Sequence, residues 1–405
     1  MRTPDLAIDA TVDNGYISLG FHDSAGGELH YARIVSVDQI KTHQRTLNED
    51  LNAFKRQIGS DLTVESLQTA ASALENLARR GETLFYDLFV TDHEALVFCE
   101  RAQSAVIRSG GIPFIQVTGR PETFLPIECL PLLGGAYDAP IQNVPELIAA
   151  ARRFVGFGGI VQWVPDTTLD QERCLRGAPR LPVMFLRHAG LEGANDEWMD
   201  LHSREEVDAD GPWPQPQSPP DDMVPEVARF IWDPARGTDG TPRNAPTEVL
   251  HFSCHCRTEG SDANAHSLYL AHNGSTERSV SLGDLKHRIF RLAAKERDPV
   301  AGSSRPLVFL NACESAALEV NATNSFPNFF MGLRAKGFIG THAPIPDATA
   351  TAFARHFYDE LVKQGAPVAL AIYRARMHLL EENQNPLGLL YTAYVDPELK
   401  MENGA

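Results

Sequence analysis

Leu307-Val-Phe-Leu-Asn-Ala-Cys-Glu-Ser315 opens on four apolar residues, passes through Asn311 and Ala312, and meets a thiol at Cys313. A short apolar run of this kind reads as a strand covered on both faces, as in a parallel sheet. A second stretch, Val249-Leu-His-Phe-Ser-Cys-His-Cys256, has the same form and delivers an imidazole at its end. Open α/β sheets place their ligand crevices at the carboxyl ends of the strands, so His255 and Cys313 are expected at one rim. A thiol becomes an effective nucleophile near neutral pH when an imidazole takes its proton.

Around these two strands the pattern alternates. Leu181 to Arg187 reads as another buried strand and Asp196 to Val207 as a helix. Ser267 to Ser281 reads as a hairpin, Leu282 to Lys295 and Asn324 to Lys336 as helices, and Gly337 to Gly340 as a strand. Helices over Asp347–Gln364 and Pro367–Glu382 lead to a last strand near Leu389–Val395. Strands separated by helices of this length imply an α/β fold, a mostly parallel sheet sandwiched by helices. Residues 179–405 form this catalytic unit. Before it, residues 1–60 carry β-rich runs and a helix, and residues 61–178 an α+β lobe with a helix from Thr63 to about Val90, short strands at Val106–Val117 and Thr123–Leu133, and a helix over Val144–Phe154. The segment 208–222 holds five prolines and four aspartates and is expected to be an exposed loop, either a tolerated insertion or a processing site.

The bulk numbers narrow the function. The chain has 405 residues, 43% hydrophobic and 22% charged, with a formal net charge of −17. That charge argues against a nucleic-acid surface, which is built from clustered Lys and Arg. No run approaches the 18 apolar residues of a membrane span, and the first 13 residues lack the order of a signal peptide. Six scattered cysteines do not make a disulfide framework, so the expected location is cytoplasmic.

Taken together, the segments resemble a known family. Leu250 to His255, Ser267-Leu-Tyr-Leu270, Val280 to Leu285, Leu307 to Ser315, Gly337 to Thr341, Pro344 to Asp347 and Asn385-Pro-Leu387 look, in that order, like the CHAT domain, a relative of caspases and separases. His255 precedes Cys313 by 58 residues (313 − 255), close to the ~50-residue spacing of caspases, whose cysteine also follows an alanine. Upstream, Leu125-Pro-Ile-Glu-Cys-Leu130 resembles a further element of the family, so the likeness runs from about residue 80 to 397. The resemblance implies a cysteine endopeptidase with a His255–Cys313 dyad and an oxyanion hole made by the amides of Cys256 and Cys313. It implies no metal and no cofactor. Asp347 is expected to receive a basic residue before the cut, as in separases. The expected partners are a protein substrate and a protein or ligand activator, in bacterial signalling or antiviral defence. A possible degenerate caspase-like lobe precedes the catalytic unit, and there is no tetratricopeptide array. The chain departs from the family in having Cys256 where Gly usually follows the catalytic His, and Ala343 where Trp is usual.

Simpler roles compete. Cys254 should face away from His255 and pack the core. His251 reads as a core or supporting histidine, Glu314 and Ser315 as helix-start residues, and Asp347 alternatively as an N-cap. A zinc cluster of His251, Cys254, His255 and Cys256 is disfavoured, because His251 and His255 lie about 13 Å apart along a strand. A catalytically silent binding or scaffold module, or an acyltransferase acting on small molecules, are the rival functions.

Overall fold

The computed structural model describes residues 4–14, 16–23, 33–58, 64–87, 112–119, 127–131, 140–165, 172–177, 179–215, 219–258, 266–273, 276–296, 305–312, 325–343, 345–396 and 398–402. Thirteen strands form one sheet. Toward its C-terminal part lie β7 (Leu181–Arg187), β8 (Val207–Trp213), β9 (Val249–Thr258), β12 (Leu307–Ala312) and β13 (Gly337–Thr341). These run parallel in the order β8-β7-β9-β12-β13. The fold class is α/β, as the alternation of strands and helices implies.

The two strands that open the sequence argument are neighbours. Leu307 to Ala312 stand opposite Val249 to Cys254, residue for residue. Every residue of β12 is buried, which is why the run is apolar without alternation. Beyond residue 254, β9 outruns β12 and pairs instead with the hairpin of β10 (His266–Asn273) and β11 (Thr276–Ser281).

Helices cover both faces. Successive residues of β9 point opposite ways. His251 meets Tyr358 of α9 (Asp347–Tyr358), whereas Phe252 meets Phe330 of α8 (Phe326–Gly332). Phe252 and Phe330 are 0% and 1% exposed, each burial contributing about 2–3 kcal/mol. The α9 helix also packs on α5 (Glu192–His202) and on α10 (Val368–Glu381). A π-helical turn, Asp359–Lys363, ends α9 before α10 begins.

The sheet does not stop at these strands. β14 (Tyr391–Val395) runs antiparallel to β13, and Tyr394 pairs with Trp163 of β5 (Ile160–Pro165). β5, β4 (Phe114–Gly119) and β1 (Leu6–Asp13) continue in that direction, followed by antiparallel β2 (Tyr16–Asp23) and β3 (Arg33–Ser36). The helices α1 (Val37–Ile58) and α2 (Val64–Asp87) pack on each other. The 1–60 and 61–178 segments therefore extend the sheet of 179–405 without a break. No helix among the described residues is long and apolar enough to cross a membrane.

Several expectations change. Val207–Trp213 is a strand, so the Pro/Asp stretch is not a loop throughout. β8 pairs only with β7, and an edge strand tolerates proline because one side of its backbone needs no ladder. The helix expected over 196–207 lies at 192–202 and Val207 opens that strand. The helix expected over 144–154 divides into α3 (Val144–Ala151) and α4 (Val155–Gly158). Where a strand was expected at 123–133, residues Ile127–Cys129 form a 3₁₀ turn. β5 and α6 (Val224–Trp232) were not anticipated.

Candidate active site

His255 lies in β9 just past the end of β12, opposite Tyr269 of β10, and its side chain is partly exposed. Cys313 and its neighbours Glu314 and Ser315 lie outside the described residues. The end of β12 is held from the next strand, where Thr341 Oγ1 donates to the Ala312 carbonyl at 2.8 Å. Cys254 is buried at 4% exposure, and Cys256, at 3%, stands opposite Leu268 in the β9–β10 ladder.

A second imidazole stands beside His255. His188 follows β7, is 1% exposed, and its ring centroid lies 5.4 Å from that of His255. Its Nδ1 accepts from the Gly190 amide at 3.2 Å, so the ring proton sits on Nε2 in the neutral form. Nothing in the sequence separated His188 from any other histidine at a strand end.

Beneath this rim lies a buried carboxyl, Glu197 of α5, 4% exposed. Its Oε2 accepts from Ser253 Oγ at 2.6 Å and its Oε1 from Asn311 Nδ2 at 2.8 Å. His251 Nε2 is 2.8 Å from Oε1, and Tyr358 OH is 2.9 Å from His251 Nδ1. Burial first, and the nearby Glu197 second, push the Tyr358 phenol well above its ordinary value, so it stays protonated. The phenol and Nδ1 share a hydrogen bond, and Nε2 lies on the Glu197 side of the ring. Asn311 Oδ1 accepts in turn from Tyr391 OH at 2.7 Å. His251 is thus a supporting histidine, as expected. Glu197 was missed, because in Asn-Asp-Glu-Trp it looks like any surface acid.

Asp347 and His255 line one cleft, with Glu197, Ser253, Asn311 and Thr351 around it. Asp347 is the first residue of α9 and the N-cap is Pro346, so the capping role does not apply. α5 and α9 meet without a gap here. Thr351 Oγ1 donates to the Gly193 carbonyl at 3.0 Å, and a Cβ on Gly193 would come within 2.8 Å of Asp347 Cβ. The cleft is narrow, with about 20 Å³ inside it, room for about one water.

The other thiols show what a structural cysteine looks like. Cys129 is wholly buried, and burial, with Glu128 beside it, pushes its pKa far up, which makes it inert. Among the described residues, the His/Cys/carboxyl group that gathers most closely is His356, His378 and Glu382, on α9 and after α10. It includes none of the β9 residues considered for zinc.

With this geometry in view, residues 229–395 match the CHAT domain family. A protein of a Vitiosangium species named as a probable protease is 28% identical over 164 residues, 40% of this chain. The chain spans about 20% of that relative's length. Among solved structures, separase in the Saccharomyces cerevisiae separase–securin complex has a TM-score of 0.44 at 9% identity, covering 98% of this chain and 30% of that one. The Arg-specific cysteine proteinase gingipain R has a TM-score of 0.40 at 10% identity, covering 75% and 68%.

Proposed function

We propose that the chain is a cysteine endopeptidase that cleaves a protein partner after a basic residue. The observation that supports this most is the strand register. Ala312 stands opposite Cys254, and the residues that follow them in the sequence are Cys313 and His255. One trans-peptide step is about 3.8 Å and neighbouring strands lie about 4.8 Å apart, within reach of a dyad. His255 takes the Cys313 proton, and the thiolate attacks the peptide carbonyl. The amides of Cys256 and Cys313 hold the oxyanion, His255 protonates the leaving amine, and water hydrolyses the thioester. Asp347 and Glu197 give the adjoining cleft an acidic lining suited to Lys or Arg.

The cleft holds about 20 Å³ below an opening to solvent, and a parting of α5 and α9 would deepen it for a Lys or Arg side chain. We assign that opening to an activator, protein or ligand, and place the enzyme in bacterial signalling or defence in the cytoplasm. The same narrowness favours a second reading, a silent binding module with the dyad retained.

The test is to incubate wild type, Cys313→Ala, His255→Ala and Asp347→Ala with a proteome-derived peptide library and read new termini by mass spectrometry. Wild type is expected to cut after Arg or Lys, and either dyad variant to lose about 10⁴-fold or more. Asp347→Ala is expected to lose the basic preference while Cys313 still alkylates. Equal cleavage by wild type and Cys313→Ala refutes the assignment. An unreactive Cys313 with no cleavage favours the binding module.

A further inference from the structure

We propose a site for a zinc-type divalent metal ion between α9 and α10, independent of the protease reading. His356 of α9, His378 of α10 and Glu382, the residue that caps α10, each bring one ligand atom within 4.8 Å of the others. His378 and Glu382 are four residues apart, which sets them one above the other on the same helix face. Nδ1 of His378 lies 2.6 Å from Glu382 Oε1, and the His356 and His378 rings stack with centroids 4.6 Å apart. Both imidazoles are half-buried and Glu382 is exposed, so an ion reaches them directly from solvent. Tetrahedral zinc holds neighbouring N and O ligands about 3.4 Å apart. Binding therefore asks Glu382 to move outward by less than about 1 Å. It also asks one ring to turn, since the two are now within 9° of parallel and must aim their lone pairs at one point.

The surroundings of the three donors suit a cation. Glu360, on the π-helical turn, places Oε1 3.6 Å from His378 Nε2, and its other oxygen accepts from Arg374 Nη1 at 2.6 Å. A carboxylate held behind one ring nitrogen orients the imidazole and leaves the other nitrogen, here Nδ1, for a metal. His378 also lies in the last turn of α10, where the helix dipole presents negative charge. Two imidazoles and one carboxylate select zinc, nickel or copper over calcium and magnesium, which take oxygen ligands. Three protein ligands leave a fourth position for water. His356 is nine residues along α9 from Asp347, about 14 Å at 1.5 Å per residue, so the ion would stand apart from the His255 cleft. It would tie α9, the helix that begins with Asp347, to α10.

The test titrates Co²⁺ and then competing Zn²⁺ into the full chain carrying Cys313→Ala, which removes the dyad thiol as a rival ligand. One cobalt per chain is expected, with a Kd of about 10 μM or tighter and visible d–d bands free of thiolate charge transfer. Adding His378→Gln or His356→Gln should weaken binding by about 100-fold, and Glu360→Gln by about 10-fold, as loss of an outer carboxylate does. Zinc at about 100 times its Kd should raise the melting temperature, EDTA should reverse the rise, and His356→Gln should show neither. No one-to-one binding below about 1 mM overturns the proposal. A thiolate band overturns it too, because the ion would then sit on another cysteine. Unchanged affinity in a folded His356→Gln overturns the bridge between the helices, since the ion would then rest on α10 alone.

Discussion

Two buried glutamates hold this molecule together in different ways. Glu197, under the candidate active site, accepts from a hydroxyl and an amide, with the His251 imidazole 2.8 Å from its Oε1. Glu128, where the N-terminal part joins the catalytic sheet, is 0% exposed. It accepts from Trp163 Nε1 at 3.2 Å and from Thr392 Oγ1 at 2.8 Å, and the Arg376 guanidinium lies 3.7 Å away. Arg376 itself is 1% exposed, and burial pulls its pKa down while Glu128 holds it up. Both carboxyls accept from two neutral donors, but only Glu128 also has a buried guanidinium beside it. Neutral donors can be re-aimed when a site opens, whereas a buried ion pair leaves a bare charge if it is separated. The joint is thus the rigid element, and the rim is the one able to change shape.

Neutralising each carboxyl separates the two. Glu128→Gln strands the Arg376 charge in the core and is expected to cost about 3–5 kcal/mol in chemical denaturation. Glu197→Gln is expected to cost only about 1 kcal/mol, because the Ser253 hydroxyl can turn and accept from the new amide. Equal losses would break the comparison and would mean that His251 carries a charge. Tyr358→Phe sharpens it. Removing the donor to the buried Nδ1 of His251 should cost about 1 kcal/mol and should lower activity less than stability, since Tyr358 lies below the cleft and not in it.

The contrast also explains what the sequence revealed. Strands buried on both faces were readable, because β7 and β12 open on near-continuous apolar runs and β9 carries Val249, Leu250 and Phe252. β5 escaped notice because Gln162 interrupts Ile160 to Val164 with a polar residue whose partner is 233 positions away. β8 was hidden by Pro212, which an edge position permits. The segments bearing His255 and Cys313 stood out from local pattern together with the family likeness. Glu197, His188 and Gly193 did not, since their meaning comes from the helix or strand each one meets. Asp347 was legible only through resemblance, and its neighbour across the cleft, Gly193, carries no local signal.

The smallest expected effect tests whether partial burial behaves as the midpoint of this series. His356 of α9 stacks on His378 of α10, with centroids 4.6 Å apart, and both rings are half-buried. Burial first, then the charge of His378, pulls the His356 pKa below its ordinary value of 6.5, while Glu382 and Asp359 pull it back and Arg355 adds to the fall. His378 faces Glu382 at 2.6 Å and Glu360 at 3.6 Å. A depressed folded-state pKa means that the unfolded chain takes up this proton first. The contribution to stability is therefore whole above about pH 6.5 and is lost as pH falls through the lower folded value. His356→Gln should flatten that acid limb of the melting curve without changing the melting temperature at pH 8. The shift should be about 1 °C or less, since 1 kcal/mol moves domains of 150–250 residues by only about 2–4 °C. A limb that steepens in His356→Gln would mean that the ring is charged in the folded protein. The α9–α10 contact would then be an ion-paired joint of the Glu128 kind, not a neutral one like that around Glu197.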